Sequence, residues 1–351
     1  MTTYKLSGFE ATVLIINLLC CKLFLLTPLI FAENSGSGAL ITVCFIFVLA
    51  FLVFGIYVKK SGGKPVFSLI GNPFVRAVFG ALSCLLLVFC GAVTFSRILY
   101  YAKAMAYPKT PLVFLALPLG ISSVLCARTG LKSVGKTHGF FVPLLYTVLI
   151  VLVLLSAKSF RFTGLTPVLG KGFYAVFGSG FFLLSSLFES LVLFFLPAFT
   201  NAPIKKVGFS ALSASFAYYL FVIGGFLLIG GKAQTLPVFS VIRASFFSRT
   251  DSLFLLLYAT AGMLYLASVI YFSAFIFAKT FKVPHVKPLI IPIALIILSF
   301  AEISFFNPEE QFVIQNMQKI LWVIPFLLPV CFACFKPQAK HKKEDVPCEK
   351  H

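Results

Sequence analysis

The stretch FYAVFGSGFFLLSSLFESLVLFFLPAF, residues 173–199, is apolar over more than the roughly 20 residues an α-helix needs to cross a hydrocarbon layer. It nevertheless carries a carboxylate, Glu189, near its middle. A charge at that depth costs several kcal/mol even on lenient insertion scales, so a membrane helix keeps one only where a partner or a function offsets the cost. Ser185, Ser186 and Ser190 flank the carboxylate, and small hydroxyl side chains satisfy backbone groups where such a helix is unwound. Residues 173–199 therefore read as a span broken at mid-membrane.

The rest of the chain has the same character. Its 351 residues are 60% hydrophobic and only 11% charged, too apolar for one water-soluble core. Apolar runs predict about ten spans: Phe9 to Phe31, Ala39 to Val58, Ala77 to Tyr101, Pro111 to Ala127 and Phe140 to Ala157, then Phe173 to Phe199, Phe209 to Gly230, Leu253 to Ala278, Pro288 to Phe306 and Ile320 to Phe335. The linker from Gly231 to Ser252, with Arg243 and Arg249, reads as an amphipathic interfacial segment. This is one polytopic membrane domain, 1–335, followed by a basic tail, 336–351. Two sets of five spans, about 9–157 and 173–335, have opposite orientation, which is the inverted-repeat plan of many secondary transporters.

A formal net charge of +19 would suggest nucleic acid in a soluble protein. Here the lysines and arginines lie in short connections and in the tail, so the charge reads as a topology signal and nucleic acid is not an expected partner. With the N-terminus inside, the cytoplasmic loops hold Lys59, Lys60, Lys64, Arg76, Arg128, Lys132, Lys136, Lys205 and Lys206, among others. The opposite side is poorer, so both termini are expected in the cytoplasm. Most of the nine cysteines fall in apolar segments and read as small core residues. The Cys331 and Cys334 pair has no second pair or nearby histidine to complete a metal site, and no cofactor or metal is expected. Nucleotide loops, zinc-protease motifs and triad spacings are missing, which argues against an enzyme.

The first span has its own buried charge. Lys22 sits near the middle of Phe9 to Phe31, with roughly 15 Å of helix on either side, too far to snorkel. If the first and sixth spans are both broken and adjacent, Lys22 and Glu189 form an ion pair at a pocket. The alternative is a lysine satisfied by carbonyl ends and a carboxylate protonated in a dry site. Gly91 and Thr94 in the third span, and Gly262, Tyr265 and Ser268 in the eighth, read first as helix-packing positions. Arg97 and Lys103, with Tyr100, Tyr101 and Tyr107, read as an interfacial belt.

Three stretches carry a family resemblance: SSLFESLVLFFLPAFTNAPIKK from Ser185 to Lys206, residues 246–295, and KLSGFEATVLIINLLCCKLFLLTP from Lys5 to Pro28. They resemble the spore germination receptor B subunits, the spore-permease branch of the amino acid/polyamine/organocation transporter superfamily. The resemblance implies an all-α integral membrane protein of ten helices, a LeuT-like 5+5 inverted repeat with helices one and six discontinuous around a small-molecule pocket. By position it makes Cys21, Lys22, Thr94, Ser185, Ser186, Glu189, Tyr265 and Ser268 the pocket candidates. One departure stands out: where relatives break helix one with glycine, this chain reads Cys20-Cys21-Lys22-Leu23.

The function so implied is germinant sensing in a bacterial spore membrane, the ligand being an amino acid or similar small molecule. The implied partners are a soluble-domain membrane subunit and a lipoprotein subunit. A proton-coupled amino acid or polyamine symporter, with Glu189 carrying the proton, and a scaffold subunit with a vestigial pocket are the competing readings.

Overall fold

A computed structural model describes residues 5–24, 27–105, 109–155, 157, 160–229, 250–306, 321 and 323–334. The linker residues 231–249, Lys158, Lys319 and the tail 336–351 lie outside them. Among the described residues the ordered backbone is helical, apart from one isolated parallel bridge between Leu6 and Thr200.

Helix α1, Gly8–Cys20, opens on a reciprocal cap. The Glu10 amide donates to the Ser7 hydroxyl at 3.2 Å and the Ser7 amide to the Glu10 carboxylate at 2.9 Å, satisfying two of the donors a helix start leaves free. From Val13 to Cys20 every side chain is buried, so α1 has no lipid-facing stripe and lies inside the bundle. It tightens into a 3-10 turn, Cys21–Phe24, and resumes as α2, Thr27–Ser35. A second 3-10 turn, Gly36–Gly38, then leads into α3, Ala39–Ser61, with Gly36 at φ +63°, a conformation open to glycine.

The helices α4 (Pro73–Met105), α5 (Leu112–Arg128) and α6 (Leu131–Leu155) follow. The sequence places the fifth span from Phe140. The helix instead starts at Leu131, because nothing in LKSVGKTHG breaks it, so Lys132 and Lys136 are helical. The broken segment comes next, as α7 (Phe173–Leu183), a 3-10 stretch Leu184–Ser190 and α8 (Leu191–Phe195). The chain continues as α9 (Ile204–Leu228), α10 (Thr250–Phe281), α11 (Lys287–Phe306) and the short α12 (Val323–Phe326) and α13 (Leu328–Cys334).

Packing puts the two broken segments at the centre. Helix α1 lies against α6, α9 and the 3-10 stretch Leu184–Ser190, while α10 covers α4, α5 and α6. The α4–α10 contact is close because it is built on glycines. A Cβ on Gly91 would stand 2.9 Å from Val269, and one on Gly262 would stand 2.7 Å from Ile98. The outward surface is apolar, with Leu52, Phe114, Leu125 and Leu295 all more than half exposed, as lipid-facing side chains are. Among the described residues, six helical stretches are long and apolar enough to cross a membrane: 27–61, 73–103, 131–151, 173–198, 204–228 and 258–281. Two shorter apolar helices, 112–128 and 324–334, accompany them.

Candidate functional site

Both central segments lose their α-helical ladder at the same level. After Leu183 the chain tightens to 3-10 geometry, and Leu187 leaves the helical region altogether, at φ −110° and ψ 21°. Unwinding strands carbonyl groups that no water reaches, so each needs a donor from elsewhere. Tyr219 of α9 supplies one to both breaks. Its hydroxyl lies 3.1 Å from the Leu19 carbonyl and 3.2 Å from the Ser186 carbonyl, sharing one proton between the two segments. Sequence reasoning missed Tyr219 because one more tyrosine in an aromatic-rich helix carries no signal.

Between the breaks the Lys22 ammonium donates to Glu189 Oε2 at 2.6 Å. Glu189 is fully buried and Lys22 nearly so. The second carboxylate oxygen accepts from the Tyr265 hydroxyl at 2.6 Å, and Thr94 donates to Tyr265 at 3.2 Å. The carboxylate thus has a donor on each oxygen and an opposite charge against it, the condition for holding an ion pair out of water. Four of the sequence candidates, Lys22, Thr94, Glu189 and Tyr265, form this one chain of contacts from the 3-10 turn Cys21–Phe24 and the 3-10 stretch Leu184–Ser190 to α4 and α10.

The other four separate. Ser185 and Ser186 line an open cavity, and the Ser186 hydroxyl donates to the Leu183 carbonyl at 2.7 Å. Cys21 is buried beside the pair without joining its hydrogen bonds. Ser268 belongs to a second buried cluster: its hydroxyl sits 3.4 Å from His138 Nε2 and donates to the Leu264 carbonyl at 3.0 Å. His138 Nδ1 lies 2.7 Å from the Val134 carbonyl, which assigns the proton to Nδ1 and leaves Nε2 accepting, at 3.2 Å, from the Asn17 side-chain amide. Ser268 lies about a turn along α10 from Tyr265 and meets His138 of α6 there rather than the ion pair.

The cavity occupies about 510 Å³ between α2 and α7 at the end of the bundle opposite Ser7. Lys22, Ser185 and Ser186 lie at its inner end, and Thr27, Glu33 and Tyr174 line it further out. Arg97 also lines it, which corrects the belt reading. Helix α4 runs on to Met105, beyond the predicted end at Tyr101, so Arg97 lies about two turns inside the helix rather than at its end. Its position three residues after Thr94 keeps it on the interior face. Tyr101, on the same stripe, is buried, whereas Tyr100 points outward and is half exposed. Among the described residues no three His, Cys, Asp or Glu side chains gather as a metal site.

An apolar helical bundle with two broken central helices, a buried ion pair joining them and a cavity above it defines a membrane protein of transporter-like architecture. The chain is similar to the solved structure of MhsT in complex with L-phenylalanine, with a TM-score of 0.61 and 12% sequence identity over 93% of this chain and 87% of that one. The fold is that of the LeuT-type transporters. The family model described as Spore germination protein (spore permease) matches residues 5–309, and the chain belongs to that family. Spore germination protein B2 of Bacillus subtilis (strain 168) is 27% identical over 260 residues, 69% of each chain.

Proposed function

We propose that this chain is the membrane subunit of a spore germinant receptor, and that a small germinant, an amino acid or similar molecule, binds in the cavity between α2 and α7. The observation that carries this reading is the position of the cavity directly over the two helix breaks, with Lys22, Ser185 and Ser186 facing it. A ligand there touches both broken segments at once and shifts their equilibrium by binding one arrangement better than the other. The change passes to partner subunits, one with a soluble domain and one lipid-anchored. The proposal includes ten spans as two inverted repeats, about 9–157 and 173–335, with both termini in the cytoplasm.

The fold is also that of a transporter, which keeps a proton-coupled symporter as the second reading. Glu189 is its proton carrier, and the buried Tyr265 and Lys22 contacts are what a proton would have to displace. Purified protein in proteoliposomes separates the two. The receptor reading expects saturable stabilisation by a member of an amino-acid panel without proton-driven accumulation. Uptake that Glu189→Gln abolishes while binding survives would establish the symporter instead.

A further inference from the structure

Among the described residues, one cation of the cavity lining has no carboxylate partner. Lys22 is already held by Glu189, so its charge is not free to meet a ligand. Arg97 lines the same space, is only partly exposed, and has no carboxylate partner among the described residues. Glu33, the carboxylate of the lining, is exposed on α2 and is not within ion-pair distance of it. The near electrostatic neighbours of Arg97 are the phenols of Tyr101, Tyr258 and Tyr265, which donate or accept hydrogen bonds but bring no negative charge of their own. A guanidinium at this depth is an expensive residue to keep, and its fork of donors fits a planar carboxylate better than any other small group.

Its place on the helix adds to the case. The Cys90 carbonyl, Thr94, Arg97 and Tyr101 follow one another at helical spacing down a single face of α4. The Cys90 carbonyl and Thr94 both reach the Tyr265 hydroxyl, at 3.4 and 3.2 Å, so Arg97 stands one turn above the buried network, on its cavity side. The pair seals the inner end and Arg97 faces the space above it.

We infer that Arg97 binds the carboxylate of the germinant, so that the site selects small carboxylic acids, free or zwitterionic. This rests on the proposed function and specifies its ligand class. In this chain the lysine at the helix-one break is consumed by Glu189, and recognition of the acid passes to α4. In a zwitterion the ammonium has the hydroxyls of Ser185 and Ser186 and the Glu33 carboxylate available along the same lining.

The test uses the full chain in detergent and compares each L-amino acid with its α-amide, which keeps the amine and loses only the acid. Ligand-induced thermal stabilisation in sodium-free buffer is the readout. The expectation is that at least one acid stabilises the protein and that its amide binds roughly tenfold or more weakly, the scale of a charged hydrogen-bonded contact. Arg97→Gln should remove that preference while leaving the melting temperature without ligand close to wild type, and Arg97→Lys should restore part of it. An acid and amide that bind alike overturn the inference and leave the receptor reading standing. The same holds if Arg97→Gln still binds and keeps the full preference for the acid over its amide. If neither acids nor amides stabilise the wild type, the receptor reading fails and this inference with it.

Discussion

Lys22 and Glu189 stabilise each other only as a pair. Removing one member leaves the other charged and buried, at about 3–5 kcal/mol. Lys22→Met and Glu189→Gln should therefore each lower the melting temperature sharply, whereas Lys22→Met combined with Glu189→Leu should recover most of the loss. A double variant as unstable as the two singles added together would show that the residues do not interact. Tyr219→Phe removes the one donor shared by Leu19 and Ser186 and should cost about 0.5–1.5 kcal/mol, read in the same assay. Residues of this kind differ in how far the sequence discloses them. A charge inside an apolar run stands out, so Lys22 and Glu189 were legible from the order of residues alone. A tyrosine, an asparagine or a histidine does not, so the Tyr219 bridge and the Asn17–His138–Ser268 cluster were invisible before the helices were packed. Arg97 was visible but misplaced, because a residue's depth depends on where its helix ends.

At the scale of the helix, the sequence marks where a span crosses better than where it stops. Hydropathy falls where basic residues begin, but the backbone stays helical past them, as in α4 beyond Tyr101 and in α6 before Phe140. The break in residues 173–199 was legible from its serines and its carboxylate. The first break was legible only from Lys22, since no glycine marks it. The α4–α10 seam offers the sharpest check on packing. Gly91→Leu puts a branched side chain against Val269 and should cost about 1–3 kcal/mol or more, whereas the same change on the lipid-facing side of α4 should cost little. Equal losses at both positions, measured by thermal unfolding, would remove the seam from the account. The breaks can also be probed by reactivity: Ser186→Cys should label with a small maleimide through the cavity, while native Cys21, fully buried, should stay protected.

For the molecule as a whole, orientation is the property most open to direct measurement. Tyr174 stands at the rim of the cavity and is 88% exposed. With both termini in the cytoplasm, Tyr174→Cys should react with a membrane-impermeant thiol reagent added outside intact cells. Labelling only after the membrane is breached would reverse the topology and put the cavity on the cytoplasmic side.

The opposite end of the bundle sets a different property. The Leu6 amide donates to the Phe199 carbonyl at 2.7 Å, and the Thr200 hydroxyl donates to the Leu6 carbonyl at 3.2 Å, with the Leu6 side chain buried. Any excursion that parts the start of α1 from the end of the sixth span must break both bonds and wet that leucine. At about 1 kcal/mol for each bond, the bonds alone thin the opened population roughly thirtyfold. That latch adds to the cost of opening this end, while the cavity already opens the other.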